Sequence, residues 1–240
     1  MPAASPAADI RVLVSNPVEG PIAAIAAPFS GATGHRAEFV FGVSTNLVQR
    51  LESGETADAV VLPRATFEAA AKSGLLAAAS RTEVGRVGIG VVVRAGSATT
   101  DVSTPDALKR ALLGADSIVY NDERRASGAH FARVLERLGI AAAVKDRSRR
   151  VETDARVFAE VAKGTGRDYG ASTLTIIMAD AGRTVRLAGP LPEELQNDEP
   201  YLAAVTASAG SPDAARAFIA FLTSPQARAT LAQRGLEQAR

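Results

Sequence analysis

The 240-residue chain contains no cysteine and no tryptophan. Without cysteine there is no structural disulfide and no thiolate chemistry, and the absence fits the periplasm and the cytosol equally well. Aromatic residues are only 5% of the sequence, and no basic block is interleaved with them, so nothing points to a nucleic-acid partner. Neither sign of charge dominates: 27 Lys and Arg stand against 26 Asp and Glu, for a formal net charge of +1. The carboxylates Glu52, Glu55 and Asp58 have no His at metal-ligand spacing and read as a solvated helix end, so no metal site and no cofactor is expected. No segment is long and apolar enough to span a bilayer. The start, MPAASPAADI, lacks a basic opening and an apolar core and does not read as a signal peptide. It reads as a short lead over residues 1–8. Two explanations stay open, a cytosolic protein or an exported one whose signal was removed. There is no G-x-S-x-G, and the glycines of VGRVGIG lack the strand–turn–helix setting of a phosphate loop.

What is there is an ordinary core composition, 47% hydrophobic, enough for one large domain or two small lobes. The chain is organised around Gly42 to Leu62. A strand runs into Gly42, a polar turn follows, and Leu47, Val48 and Leu51 then mark one face of a short helix. Ser44 stands where an N-cap is expected, and Gly54 where the helix stops. Ala57 to Leu62 is an apolar run with the look of a buried parallel strand. Upstream, Ile10 to Ser15 reads as a strand, Pro21 to Phe29 as a helix and Ala37 to Phe41 as a second strand. Strand, helix, strand, helix, strand makes a doubly wound parallel sheet. Right-handed crossovers put the turns at Ser15-Asn16 and Ser44-Thr45 on one carboxyl edge.

Thr66 to Ser73 reads as a further helix. Val87 to Arg94 reads as one long strand crossing into a second lobe. There, Thr104-Pro105 opens a helix and Ser117 to Tyr120 is a strand. Its polar turn holds Arg124, Arg125, Ser127 and Gly128, and a helix from Ala129 to Leu138 follows. Val144 to Val151 reads as a charged edge strand, and Thr153-Asp154 caps a helix running from Ala155. Tyr169 to Ala171 is a strand with Thr173 just beyond its end, and Leu174 to Ala181 is helical. Tyr201 to Ser208 reads as the returning strand, and helices from Pro212 and Pro225 close the chain on the first lobe. The expected division is 9–86 with 203–240 as one lobe and 87–202 as the other.

The order of elements resembles the type II periplasmic solute-binding proteins, in particular the molybdate-binding-protein-like family. The stretches that carry the likeness are FGVST with LVQRLESGETADAVVL, GRVGIGVVVRAGS, Ser127-Gly128 with FARVLERLGI, GPLPEELQN and AFIAFLTSPQARATLAQRGL. The resemblance implies an α/β fold of two lobes, each a doubly wound, mostly parallel sheet, with two crossing strands as the hinge. It implies a small anion held between the lobes by hydroxyls and backbone amides. Carried over by position, the contacts are Ser15, Asn16, Ser44 and Thr45 in one lobe, and Ser127, Gly128, Ala155 and Thr173 in the other. It further implies a periplasmic monomer whose closed form is recognised by an ABC permease.

Two departures bear on the ligand. Thr173 falls where molybdate-binding proteins place a tyrosine. Arg124 and Arg125 fall where they carry small neutral residues. Paired guanidiniums suit bidentate carboxylates, so a small organic polycarboxylate joins the oxyanions as a candidate. Similar folds also serve as isomerases of aconitate. In that alternative His130, one residue into the helix after Gly128, is the candidate base; its plainer reading is a partly buried helix residue.

Overall fold

The computed structural model describes residues 7–98, 100–180, 183–197 and 199–237. The first six residues of the expected lead, and Ala181 at the end of an expected helix, lie outside the described residues. The chain divides into two compact units, Met1–Val87 with Glu199–Arg240, and Gly88–Asp198.

The first unit opens with β1 (Asp9–Ser15), then α1 (Glu19–Ala23), α2 (Ala26–Thr33), β2 (Arg36–Gly42), α3 (Ser44–Glu52), β3 (Ala59–Pro63), α4 (Arg64–Lys72) and β4 (Thr82–Val87). The helix expected from Pro21 to Phe29 is two helices. Proline lacks an amide hydrogen and clashes with the carbonyl four residues back, so it is tolerated only in a first turn. Pro28 accordingly sits in the first turn of α2, and the helix breaks just ahead of it.

The second unit holds β5 (Ile89–Arg94), α5 (Pro105–Leu113), β6 (Ser117–Asn121), α6 (Ala126–Arg137), β7 (Ser148–Val151), α7 (Asp154–Lys163), β8 (Asp168–Thr173), α8 (Leu174–Asp180) and β9 (Val185–Pro190). The chain returns to the first unit with β10 (Glu199–Val205), α9 (Pro212–Leu222), α10 (Pro225–Ala232) and β11 (Leu236–Glu237). The sequence reads Val87 to Arg94 as one strand, but β4 and β5 belong to different sheets and part at Gly88. A Cβ on Gly88 would stand 2.9 Å from the Gln196 side chain. The close approach expected of a strand glycine is therefore real, and it ends the strand. All of β10 pairs with β3 or β4, so the return falls at residues 198–199 and not at 203. The edge strand expected over 144–151 shortens to β7, because Lys145–Arg147 form a 3-10 turn over buried Val144.

The expected parallel core is present in each sheet, and antiparallel strands extend it, so both sheets are mixed. In the first, ordered β11-β4-β10-β3-β1-β2, β2, β1 and β3 run parallel, while β10, β4 and β11 pair antiparallel. In the second, ordered β7-β6-β8-β5-β9, β7, β6 and β8 run parallel and β5 is antiparallel to both its neighbours. The continuous apolar runs of β1 and β3 follow from burial on two faces. Val12, Val14 and Val61 pack with Ile22, Phe29 and Phe218 on one side. Leu13, Val60 and Leu62 pack with Leu47, Leu51 and Phe67 on the other. The side chains of the parallel strands thus fix the helices, and the helices start at the strands' carboxyl ends.

Candidate functional site

In the first unit the carboxyl edge gathers Ser15, Asn16, Ser44 and Thr45, as the sequence predicts. Ser15 ends β1 in register with Gly42 of β2. It is buried, and its side chain caps nothing. Asn16 is exposed in the turn that follows. Ser44 is not an N-cap. Val43 stays extended and takes the cap position, so Ser44 and Thr45 are the first two residues of α3. Freed from capping, Ser44 Oγ lies 3.2 Å from Thr66 Oγ1 in the first turn of α4. The sequence reading missed Thr66. Its signal was present, because Pro63-Arg64-Ala65-Thr66 repeats the pattern of apolar strand, polar turn and helix. Arg64 in the same turn is paired with Glu83 at 3.5 Å.

In the second unit, Ser127 and Gly128 lie inside the first turn of α6, not in the preceding loop. The helix starts early because it sits directly on the strand end. A Cβ on Gly128 would be 2.1 Å from the Asn121 carbonyl oxygen and 2.2 Å from that of Asp122. Ser127 Oγ donates to Asn121 Oδ1 at 3.1 Å. Thr173 ends β8, and its Oγ1 is buried with no hydrogen-bond partner among the described residues.

Arg124 and Arg125 do not present free guanidiniums. Arg124 donates through Nε and Nη2 to Asp122 Oδ2, at 3.1 and 2.5 Å. Those bonds hold the Asp122 carboxyl below the usual range. Arg125 donates to the Glu152 carbonyl at 2.8 Å and to Asp154 Oδ2 at 3.3 Å. Asp154 is buried and also accepts from Ser172 Oγ at 2.5 Å. Both arginines, expected to reach for ligand carboxylates, are paired with acids of their own unit, Arg124 with Asp122 and Arg125 with Asp154. Ala155 is exposed at the second position of α7. That helix start is already answered by the Thr153 side chain, which accepts from Arg156 N at 3.2 Å, and by Asp154 in the first turn.

His130, the candidate base of the isomerase alternative, lies in α6. It is buried, and its Nε2 lies 2.7 Å from the Leu195 carbonyl oxygen. A carbonyl only accepts, so Nε2 carries the proton. Burial pushes the ring's pKa below its ordinary 6.5, against the opposing effect of the Leu195 bond, with Arg133 and Arg137 adding to the depression.

Two sets of helix starts contrast. α5, α7 and α10 are capped by Thr104, Thr153 and Ser224. α3, α4 and α6 each follow a parallel strand, and none has a side-chain cap bond or an acid in its first turn. The first amides of a helix have no intrahelical acceptor, and the helix dipole favours negative charge there. In the first unit the starts of α3 and α4 stand with the hydroxyls of Ser15, Ser44 and Thr66, and in the second unit α6 and Thr173 offer neutral donors of the same kind; each set is suited to negative charge.

These features define a class. The pattern of the bacterial extracellular solute-binding protein family matches residues 10–237, and the chain belongs to that family. Its fold is that of the type II solute-binding proteins. The substrate-binding domain of a putative molybdenum ABC transporter from Clostridium difficile superposes with a TM-score of 0.86 at 16% identity, covering 98% of this chain and all of that one. The periplasmic molybdate-binding protein of Azotobacter vinelandii gives 0.71 at 18% identity, over 96% of this chain and all of its own. By sequence, the chain is 29% identical to an aconitate isomerase from Pseudomonas sp., across 98% of this chain and 90% of that protein.

Proposed function

We propose that this solute-binding protein captures a small anion, an oxyanion or a small organic polycarboxylate, and presents it to an ABC-type permease. The observation that carries the reading is the set of uncapped, acid-free starts of α3, α4 and α6 at the carboxyl ends of parallel strands. Molybdate binding by the Azotobacter relative of like fold supports it. In this reading the protein acts in the periplasm as a monomer, and Ser15, Ser44, Thr66 and Thr173 supply hydroxyl donors. The test is calorimetric titration with molybdate, tungstate, sulfate, citrate and both aconitate isomers. At least one binds, and Ser15→Ala and Ser44→Ala each weaken it by about tenfold, the worth of a hydrogen bond to a charged group. Absence of binding by every member of the panel overturns the reading.

A second reading, isomerisation of aconitate by allylic proton transfer, is favoured by the likeness to the Pseudomonas enzyme along nearly the whole chain. With Nε2–H held by the Leu195 carbonyl, the His130 nitrogen left to act as its base is Nδ1. Proton NMR of cis-aconitate incubated with the protein decides it: appearance of the trans isomer establishes the activity, and an unchanged spectrum beside an active control enzyme removes it.

A further inference from the structure

Among the described residues, the buried side-chain polar atoms without a hydrogen-bond partner are Asn121 Nδ2, Arg147 Nε, Thr173 Oγ1 and Thr175 Oγ1. Three of these belong to the ends of β6 and β8 and to the helix start that follows β8. Buried polar groups in folded proteins are nearly always paired, so a local concentration of unpaired ones calls for a cause. Asn121 stands out. It has no exposed surface. It is the last residue of β6, whose parallel neighbour β8 ends in Thr173. Its Oδ1 is taken by the Ser127 hydroxyl at 3.1 Å, which fixes the amide plane and leaves Nδ2 with two hydrogens to donate. Ser127 is held in turn by α6, which Gly128 allows to sit on the carbonyls of Asn121 and Asp122. An uncapped start of that same helix adjoins the amide.

We propose that Asn121 is a ligand-binding residue whose side-chain amide donates to an oxygen of the anion, with Ser127 as the residue that positions it. The inference rests on the anion-capture reading and narrows its chemistry. An amide that offers only N–H selects an unprotonated oxygen, as on an ionised oxyanion or carboxylate. It gives nothing to a ligand group that only donates. Because the nearby arginines are held by Asp122, Glu152 and Asp154, this neutral donor carries recognition in its part of the second unit.

The experiment uses the whole protein with molybdate and cis-aconitate as probes. Asn121→Asp replaces the donor by an acceptor and is expected to weaken whichever probe binds by a factor on the order of tenfold to a hundredfold. Ser127→Ala is expected to weaken it by a smaller factor, and Ser127→Thr, which keeps the hydroxyl, to restore it. In 15N-labelled wild-type protein, the Asn121 side-chain NH2 signals are expected to shift on saturation. If Ser44→Ala weakens binding while folded Asn121→Asp binds within about twofold of wild type, this inference fails and anion capture stands. Asn121 amide signals that do not move at saturation have the same consequence, and they decide the matter should Asn121→Asp not fold. If neither probe binds wild-type protein at millimolar concentration, but sulfate or tungstate does, the same variants are read with that anion. If no anion binds, both readings fall together.

Discussion

The side-chain amide of Gln196 is hydrogen-bonded to both backbone groups of Ile89. Ile89 N–H donates to Oε1 at 2.7 Å, and Nε2 donates to the Ile89 carbonyl at 3.0 Å. The backbone N–H of Asn197 adds a bond to the same Oε1 at 3.0 Å. A side chain here does the work of a strand partner at the first residue of β5, next to the point where the chain leaves the first unit. Gln196→Leu keeps the bulk and takes the acceptor from the Ile89 and Asn197 N–H groups, while the Ile89 carbonyl keeps its bond from Leu191 N at 2.9 Å. Its cost is expected to be about 2–4 kcal/mol, given about 1–3 kcal/mol for each buried group left unpaired. Urea denaturation measures it, and a variant as stable as wild type shows that the amide contributes nothing.

The Arg124→Ala, Arg125→Ala double variant addresses ligand charge. With both guanidiniums engaged by Asp122, Glu152 and Asp154, anion affinity is expected to change by less than about threefold, as for exposed ion pairs that contribute little. A loss beyond tenfold for cis-aconitate but not for molybdate would mean that the arginines exchange their own carboxylates for those of a ligand.

Gly128→Ala tests the contact between α6 and the end of β6. The added methyl would meet two backbone carbonyl oxygens at 2.1 and 2.2 Å, and backbone yields less readily than a side chain. The expected cost is about 1–3 kcal/mol or more from overpacking, together with weaker anion binding because Ser127 and Asn121 move with the helix. A melting temperature equal to wild type would show that the helix start relaxes freely.

His130 predicts a pH dependence. Its folded pKa lies below the ordinary 6.5, so the unfolded chain takes up a proton first as pH falls. The stabilisation is therefore present above pH 6.5 and is lost as pH drops toward and through the folded value. His130→Gln is expected to lose less stability than wild type between pH 7 and about pH 5.5, a range set by the ordinary His value. Parallel denaturation curves for the two proteins across that range would contradict it.

Much of this was legible in the residues. Val12 and Leu13 of β1, and Val60 and Val61 of β3, lie in apolar runs, and burial on both faces of a parallel strand demands such runs. Thr104 and Thr153 cap as their positions predict. Ser44 misled because a cap and a first helical residue differ by one position, and Val43 was free to stay extended. Val87 to Arg94 misled because apolar patterning does not record which sheet a strand joins.

The sequence by itself determined the repeated unit of apolar strand, polar turn and amphipathic helix, because hydrophobic period and chain handedness are local properties. It thereby set hydroxyl-bearing turns at the carboxyl ends of parallel strands. Tertiary structure alone decided which of those groups are free. Ser44 meets Thr66, Ser127 takes one side of the Asn121 amide, and Arg125 is drawn to Glu152 and Asp154. Each outcome depends on a partner brought near by packing of elements apart in the chain, and a hydrogen bond is made or lost within a fraction of an ångström.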